Sequence, residues 1–506
     1  MPLSTHIINF LFAYRRSEID FFRRNPAQVQ QEQLTRLLKE GADTHFGSDC
    51  RMRNIRSIEQ FQQRIPVSDY EAFSPLIDRA RQGEESVTWP GIIRWFAKSS
   101  GTTGSKSKFI PVSDAGLQDI HMQGPKDTVA FFASLYPESE VFSGKTLTLG
   151  GSHKIEREGE TALTGDLSAI LIDNTPKLLE WRKVPSTEVA LIPDFEEKIR
   201  RICKETTREN VSNFAGVPSW NLVMMNRILE YTGKSNIFEV WPKMELFVHG
   251  GVSFKPYREQ YRRIFPSERM KYMETYNASE GFFAIGDDPL RDDMLLMLDY
   301  RIFYEFLPMS HFDDASKAVP LEDVKPGVNY AMIISTSNGL WRYLIGDTVE
   351  FTSTSPYRIR ITGRTKHFIN VFGEELIIEN AETAIRAACD RTGAEIAEYT
   401  VAPVFMEGRK KGSHEWVVEF RRRPEDIERF TRLLDEALQR VNSDYEAKRF
   451  KNTTLMQLTL SEVGEGTFLH WMQKRGRMGG QNKVPRLYNE RIYVEGVLEM
   501  DTNKKT

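Results

Sequence analysis

Between Phe96 and Phe351 short apolar runs alternate with helical stretches and glycine-rich turns, and this alternation constrains the fold more than any other feature. Thr146–Leu149, Met244–Val248, Tyr330–Ile334 and Thr348–Phe351 have the length and composition of strands, while Glu196–Thr206 and Trp220–Tyr231 read as helices. Taken in turn, such elements pack as helices on sheets, so the fold class is α/β. The first 90 residues read as amphipathic helices; Leu34, Leu37 and Leu38, for example, share one helical face.

Past Arg358–Arg364 the texture changes. A helix over Ile378–Arg391 is followed by strands Tyr399–Phe405 and Glu415–Phe420. Ile427, Phe430, Leu434, Leu438 and Val441 then recur at helical spacing, and Thr454–Leu460 alternates as a strand. That order makes a compact α+β module. With the boundary at the Gly363 turn, a large domain covers 1–362 and a small one 363–506.

Charge removes several function classes. Lys plus Arg number 68 against 71 Asp plus Glu, a net charge of −3, so nothing in bulk attracts nucleic acid or a membrane surface. Cys50, Cys203 and Cys389 lie far apart with no CxxC pair, which fits a reducing compartment. The nine histidines include no HExxH, so a zinc site is not expected. No run approaches the roughly 20 apolar residues that span a bilayer. The apolar stretch Ile7–Tyr14 is short and interrupted by Asn9, and Arg15 and Arg16 follow rather than precede it. It reads as the first amphipathic helix of a cytoplasmic protein, expected to be a monomer.

The segment richest in chemistry is Ser99-Ser100-Gly101-Thr102-Thr103-Gly104-Ser105-Lys106-Ser107-Lys108, which follows the apolar run Ile92–Ala97. Glycines let backbone N–H groups approach a phosphate, hydroxyls add donors and lysines neutralise charge. An ordinary Ser/Gly surface loop has the same composition. It is not a Walker A motif, because only two residues separate Gly101 from Gly104. Gly464-Glu465-Gly466 meets Leu469 where a dinucleotide fingerprint needs glycine.

Four further segments each allow a functional and a bland reading. Phe247-Val248-His249-Gly250-Gly251-Val252 is a strand running into a double glycine, or an ordinary strand end. Tyr276-Asn277-Ala278-Ser279-Glu280 offers a ring that could stack on a base and a carboxylate that could hold Mg²⁺, or a core Tyr beside a surface Glu. Tyr343-Leu344-Ile345-Gly346-Asp347 puts an aspartate at a tight turn between strands, where it could grip a ribose diol or simply close the turn. Gln481-Asn482-Lys483-Val484-Pro485-Arg486 is a late lysine motif or a solvated basic loop.

Their order resembles the adenylate-forming superfamily of acyl-CoA synthetases, luciferases and peptide-synthetase adenylation domains. More closely, the chain resembles the Gretchen Hagen 3 family of acyl-acid amido synthetases, which includes plant enzymes of auxin and jasmonate conjugation and bacterial relatives. Family-like stretches are Asp43-Thr44-His45-Phe46-Gly47, Ile65–Glu71, Ser99–Lys108, Gly363-Arg364 with Phe368-Ile369-Asn370, and Gln481–Arg486. The resemblance, to a bacterial-type member, implies ATP and Mg²⁺ as cofactors and a carboxylic acid and an amine, such as an amino acid, as substrates. It implies that Ser99, Ser100, Thr102, Thr103 and Lys108 cradle the phosphates, with Gly251, Val252, Tyr276 and Ser279 around the nucleotide. Tyr276 would stack near adenine, Glu280 would take Mg²⁺, Asp347 the ribose hydroxyls, and Arg364 would touch the nucleotide from the hinge. Lys483 would be the adenylation lysine carried by a mobile small domain, and Val217 and Trp220 would line the acyl pocket. Gly373-Glu374-Glu375-Leu376 departs from relatives that carry a lysine there. An acyl-CoA ligase shares the first half-reaction, and a non-catalytic nucleotide-binding protein is the remaining alternative.

Overall fold

The structure is a computed structural model that describes residues 2–99, 108–149, 155–192, 194–251, 254, 257–365, 368–406, 411–450, 455–474 and 484–500. Ser99 and Trp220 are described in backbone only. Ser100, Thr102, Thr103, Val252 and Lys483, all expected at the site, lie outside the described residues.

Among the described residues the alternation resolves into one mixed sheet of twelve strands. The strand Lys271–Ala278 is its joint. On one side it pairs antiparallel with Gly281–Ile285, and the antiparallel half continues through Met294–Leu296, Tyr357–Arg364, Tyr343–Thr354, Asn329–Thr336 and Ile302–Pro308. On the other side it pairs parallel with Leu246–His249, followed by Val211–Gly216 and Lys145–Thr148. Parallel strands need crossovers, and the helices Phe195–Thr206 and Pro218–Thr232 supply them. Pro at the first turn and Gly233 in the left-handed conformation after the last mark the ends of the second helix.

A smaller sheet places Trp95–Ser99 between Lys108–Val112, antiparallel, and Ala162–Gly165, parallel. Ser99 and Lys108 are register partners. The N-terminal helices include Leu3–Leu11, Ala13–Arg24, Pro26–Gly41 and Tyr70–Arg81, and Leu34, Leu37 and Leu38 point into the core as their spacing requires.

The C-terminal module is a three-stranded sheet, Glu395–Val404, Ser413–Arg422 and Thr459–Val463, with helices Ile378–Thr392 and Ile427–Val441 against it. Its last strand starts later than the Thr454–Leu460 pattern; at Leu458 the backbone N–H turns to the buried carboxylate of Asp435. Helices Ser443–Arg449, Thr467–Lys474 and Ile492–Leu498 complete it. Apolar side chains from the parallel half of the large sheet and from this module share one buried cluster, and Tyr257 Oη donates to Val371 O at 2.6 Å across the junction.

Candidate active site

The parallel strands Val211–Gly216, Leu246–His249 and Lys271–Ala278 end side by side, and their carboxyl ends lead into Val217, Gly250-Gly251 and Ser279-Glu280. A crevice at the carboxyl ends of parallel strands is where open α/β sheets bind ligands. Two glycines shape these strand ends. A Cβ on Gly250 would lie 2.4 Å from Thr275 O, so the backbones approach too closely for any side chain. Gly251 adopts φ +82°, and its Cβ position lies 3.4 Å from Val217 Cγ2, which brings the double glycine and the expected acyl-pocket residue together.

Asp347 does not sit at a turn, as the sequence suggested. It lies within the long strand Tyr343–Thr354, beside Gly346 at φ +92° and opposite a register shift between Ala331 and Ile333. The element is a β-bulge, which needs glycine for its left-handed residue and re-aims the side chain that follows. Asp347 Oδ2 accepts the Tyr276 hydroxyl at 2.7 Å, and Oδ1 accepts Arg364 Nε at 2.8 Å. Arg364 is the last residue of the neighbouring strand and the register partner of Asp347, which explains why the two meet. Its other nitrogens reach Glu375 at 3.1 and 3.3 Å.

Tyr276 is the residue expected to stack near adenine. Its ring is buried against Phe283, with centroids 4.9 Å apart, and its polar end faces Asp347. Burial, then the adjacent carboxylate, raise its phenol well above the usual value, so it stays a donor.

Glu280 is 7 % exposed in the tight turn before Gly281–Ile285. Among the described residues no side chain donates a hydrogen bond to its carboxyl. Burial pushes its pKa up to about 7, against the pull of the nearby Lys108 ammonium. Lys108 is buried, opens the strand Lys108–Val112 and lies 5.4 Å above the Tyr70 ring. Ser279 is half-buried beside Glu280. The structure thus brings Lys108, Tyr276, Ser279, Glu280, Asp347 and Arg364 into one neighbourhood, with Val217 and Gly251 at the adjoining strand ends.

Two neighbours carried no sequence signal of a role. Asn338 reads as half of an Asn-Gly turn, yet its amide accepts Ser113 N–H at 3.1 Å and reaches Glu280 O at 3.4 Å and His121 Nε2 at 3.3 Å. It ties the segment after the strand Lys108–Val112 to the Glu280 turn. His121 lies in a π-helical turn, and burial lowers its pKa to about 4, so it is neutral. Glu375 was visible only as a departure from relatives.

A divalent cation is implied by the resemblance. The described residues hold no group of three or more His, Cys, Asp or Glu side chains able to cage a metal. A single desolvated carboxylate fits a different arrangement, in which Mg²⁺ takes one protein oxygen and the rest from substrate phosphates and water.

Comparison with known proteins bears on the whole chain. Residues 15–270 match the GH3 family N-terminal domain, 295–364 the GH3 family central domain and 379–492 the GH3 family C-terminal domain. An indole-3-acetic acid-amido synthetase of Arabidopsis thaliana, GH3.3, is 22% identical over 92% of this chain and 90% of its own. The solved structure of the AtGH3.15 acyl acid amido synthetase in complex with 2,4-DB matches with TM-score 0.61 at 17% identity, covering 96% of this chain and 95% of that one. A 2-hydroxyisobutyryl-CoA ligase structure matches with TM-score 0.59 at 12% identity over 96% of this chain and 93% of its own. These structures share the mixed α/β fold with its separate C-terminal domain. With all three domains matched in chain order, the chain belongs to the GH3 (Gretchen Hagen 3) family.

Proposed function

We propose that this chain is an ATP-dependent acyl-acid amido synthetase. In the first half-reaction an acid carboxylate oxygen attacks the α-phosphorus of ATP, and pyrophosphate leaves. In the second, an amine nitrogen attacks the acyl carbon, AMP leaves, and the nitrogen loses a proton to give the amide. The observation that carries the reading is the Tyr276–Asp347–Arg364 cluster beside buried Glu280 and Lys108, in a chain of the GH3 family.

In this reading Asp347 accepts hydrogen bonds from the ribose hydroxyls through lone pairs left by Tyr276 and Arg364. Ser99, Ser100, Thr102, Thr103 and Lys108 hold the phosphates. Glu280 gives Mg²⁺ its charged oxygen, and the cation offsets phosphate charge when bound. Gly251, Val252 and Ser279 flank the nucleotide, and the acid enters past Val217 and Trp220. The small domain, 363–506, turns about the Gly363 region to bring Lys483 to the reacting carboxylate and α-phosphate. Lys483→Ala should then slow adenylation severely while pre-formed acyl-adenylate still reacts with amine; equal loss in both steps removes that role.

Acid-dependent ATP–pyrophosphate exchange across a panel of carboxylic acids tests the reading. Exchange should fall about 100-fold or more in Asp347→Ala, in line with losing an orienting charged contact. Absence of exchange with every acid points to a non-catalytic nucleotide-binding protein. An acyl-CoA ligase differs in the acceptor: the expected outcome is AMP release with amino acids and none with CoA.

A further inference from the structure

The N-terminal helices present an apolar face that the catalytic reading leaves unused. Leu3–Leu11 and Ala13–Arg24 form one nearly continuous rod: Phe12 N–H donates to Ile8 O and Arg16 N–H to Phe12 O, each at 3.0 Å. One side is anchored to the body by Thr5 Oγ1 on Ser139 O, Asn9 Nδ2 on Ala133 O, the Arg15 pairs with Asp127 and Asp299, and buried Ile19 and Phe22. The other side faces outward with Ile7, Phe10, Leu11, Tyr14 and Phe21, from 44% to 77% exposed.

Positions 7, 10, 14, 17, 21 and 24 alternate steps of three and four, the a/d spacing of a coiled-coil seam. A solvated helix face would carry charge there, and this one carries Ile, Phe, Tyr, Ser, Phe and Arg. We propose that this seam is a docking surface for a second copy of the chain, the two rods antiparallel about a two-fold axis near residues 15 and 16.

Three observations favour that occupant. First, the surface is self-complementary. An antiparallel a-to-d pairing sets Phe10 against the partner's Phe21, Tyr14 against the partner's small Ser17, and Ile7 against the aliphatic stem of the partner's Arg24. A groove of about 370 Å³, in which Tyr14, Phe21, Phe22 and Val29 share the lining with Ser17, Glu18, Glu32, Gln33 and Asp299, lies beside the place where Phe10 arrives, and symmetry repeats the contact. Second, the five outward apolar side chains offer on the order of 600 Å² per copy, which with their flanks approaches the ~800 Å² per partner of a stable interface. Third, residues 3–14 contain no Lys, Arg, Asp or Glu, and Arg15 and Arg16 are engaged with Asp127, Asp299 and Asn9. A helix that lies on an anionic membrane carries free cations along its polar face.

Sedimentation of the full chain from 0.5 to 50 µM tests this, with Phe10→Glu and the double variant Phe10→Glu/Phe21→Lys alongside. The expected result is a concentration-dependent species of twice the chain's mass. Phe10→Glu should weaken dimerisation about 100-fold or more while leaving pyrophosphate exchange unchanged, and the melting temperature unchanged at concentrations where the wild type is monomeric, since the side chain is exposed. The double variant should regain dimer through two reciprocal Glu–Lys pairs. A wild-type monomer throughout the range, with or without binding to anionic vesicles or another protein, overturns the proposal. So does a dimer that survives Phe10→Glu, because the contact then lies elsewhere.

Discussion

Glu305 and Glu280 are buried carboxylates on the same sheet, and their surroundings differ in kind. Glu305 receives Arg342 Nε and Nη2, each at 2.9 Å, and Gln62 Nε2 at 2.9 Å, while Arg342 Nη1 donates to Gln62 O and Ile65 O at 2.9 and 2.8 Å. Every strong donor there has an acceptor inside the fold. Glu280 has nearby cations but no side-chain donor among the described residues, and desolvation holds its proton on to about pH 7. A closed pair fixes the junction between the N-terminal helices and the sheet. An open carboxylate keeps capacity for something that arrives later, which is why perturbed titration marks sites more often than structural pairs do.

The sharpest way to break the comparison is to open the closed pair. Arg342→Met strands a buried carboxylate with one remaining side-chain donor and should cost about 3–5 kcal/mol in urea unfolding. Adding Glu305→Leu should recover most of that loss, because the buried charge is then gone. A single-variant cost below about 1 kcal/mol would show that water already reaches Glu305 and that the pair is not closed.

Neither carboxylate could be sorted in this way from sequence, for a physical reason. Periodicity reports which face of an element is buried, and it located the helices Phe195–Thr206, Ile378–Thr392 and Ile427–Val441 to within a residue or two. It reports nothing about the partner a buried charge meets, because Glu305 lies on Ile302–Pro308 and Arg342 just precedes Tyr343–Thr354, two strands that meet only through Asn329–Thr336 between them. The Asp347 bulge was missed for the same reason. Gly-Asp is turn chemistry locally, and only pairing with Asn329–Thr336 on one side and Tyr357–Arg364 on the other keeps the strand running through it. Motif order, by contrast, identified the family because it samples chemistry along the whole chain.

The next effect concerns Glu280 itself. Its folded pKa of about 7 exceeds the ordinary 4.5, so the neutral form is favoured in the folded chain. The sign follows from linkage: the stability this proton supplies is full below pH 4.5 and is lost as pH rises from there through 7. Glu280→Gln, neutral at every pH, should therefore stabilise the metal-free protein by about 3 kcal/mol at pH 8 and by little at pH 4.5. The same variant should need a higher Mg²⁺ concentration for pyrophosphate exchange, and wild-type Mg²⁺ dependence should steepen between pH 6 and 8 as the cation competes with the proton. Parallel stability curves for the two proteins across pH 4.5–8 would show that Glu280 is ionised throughout.

Asp347 stands between the two extremes, and its hydroxyl partner gives the smallest and most specific effect. Tyr276 donates to one carboxylate oxygen and Arg364 to the other, so the aspartate is oriented on both sides yet retains lone pairs. If orientation is what the phenol supplies, Tyr276→Phe removes one hydrogen bond, leaves the ring packed on Phe283, and should raise the KM for ATP about 5–10-fold with kcat nearly unchanged. A ring that stacked on adenine would lose nothing in the phenylalanine variant and much in Tyr276→Leu. The ribose itself discriminates further. With 2′-deoxyATP one hydroxyl that Asp347 would accept is missing, so wild-type enzyme should bind it more weakly and the added penalty of Tyr276→Phe should shrink towards unity. An undiminished penalty with 2′-deoxyATP would mean that Tyr276 acts on the nucleotide by another route than Asp347, and the site would then be more closed, and more like the Glu305 pair, than its geometry implies.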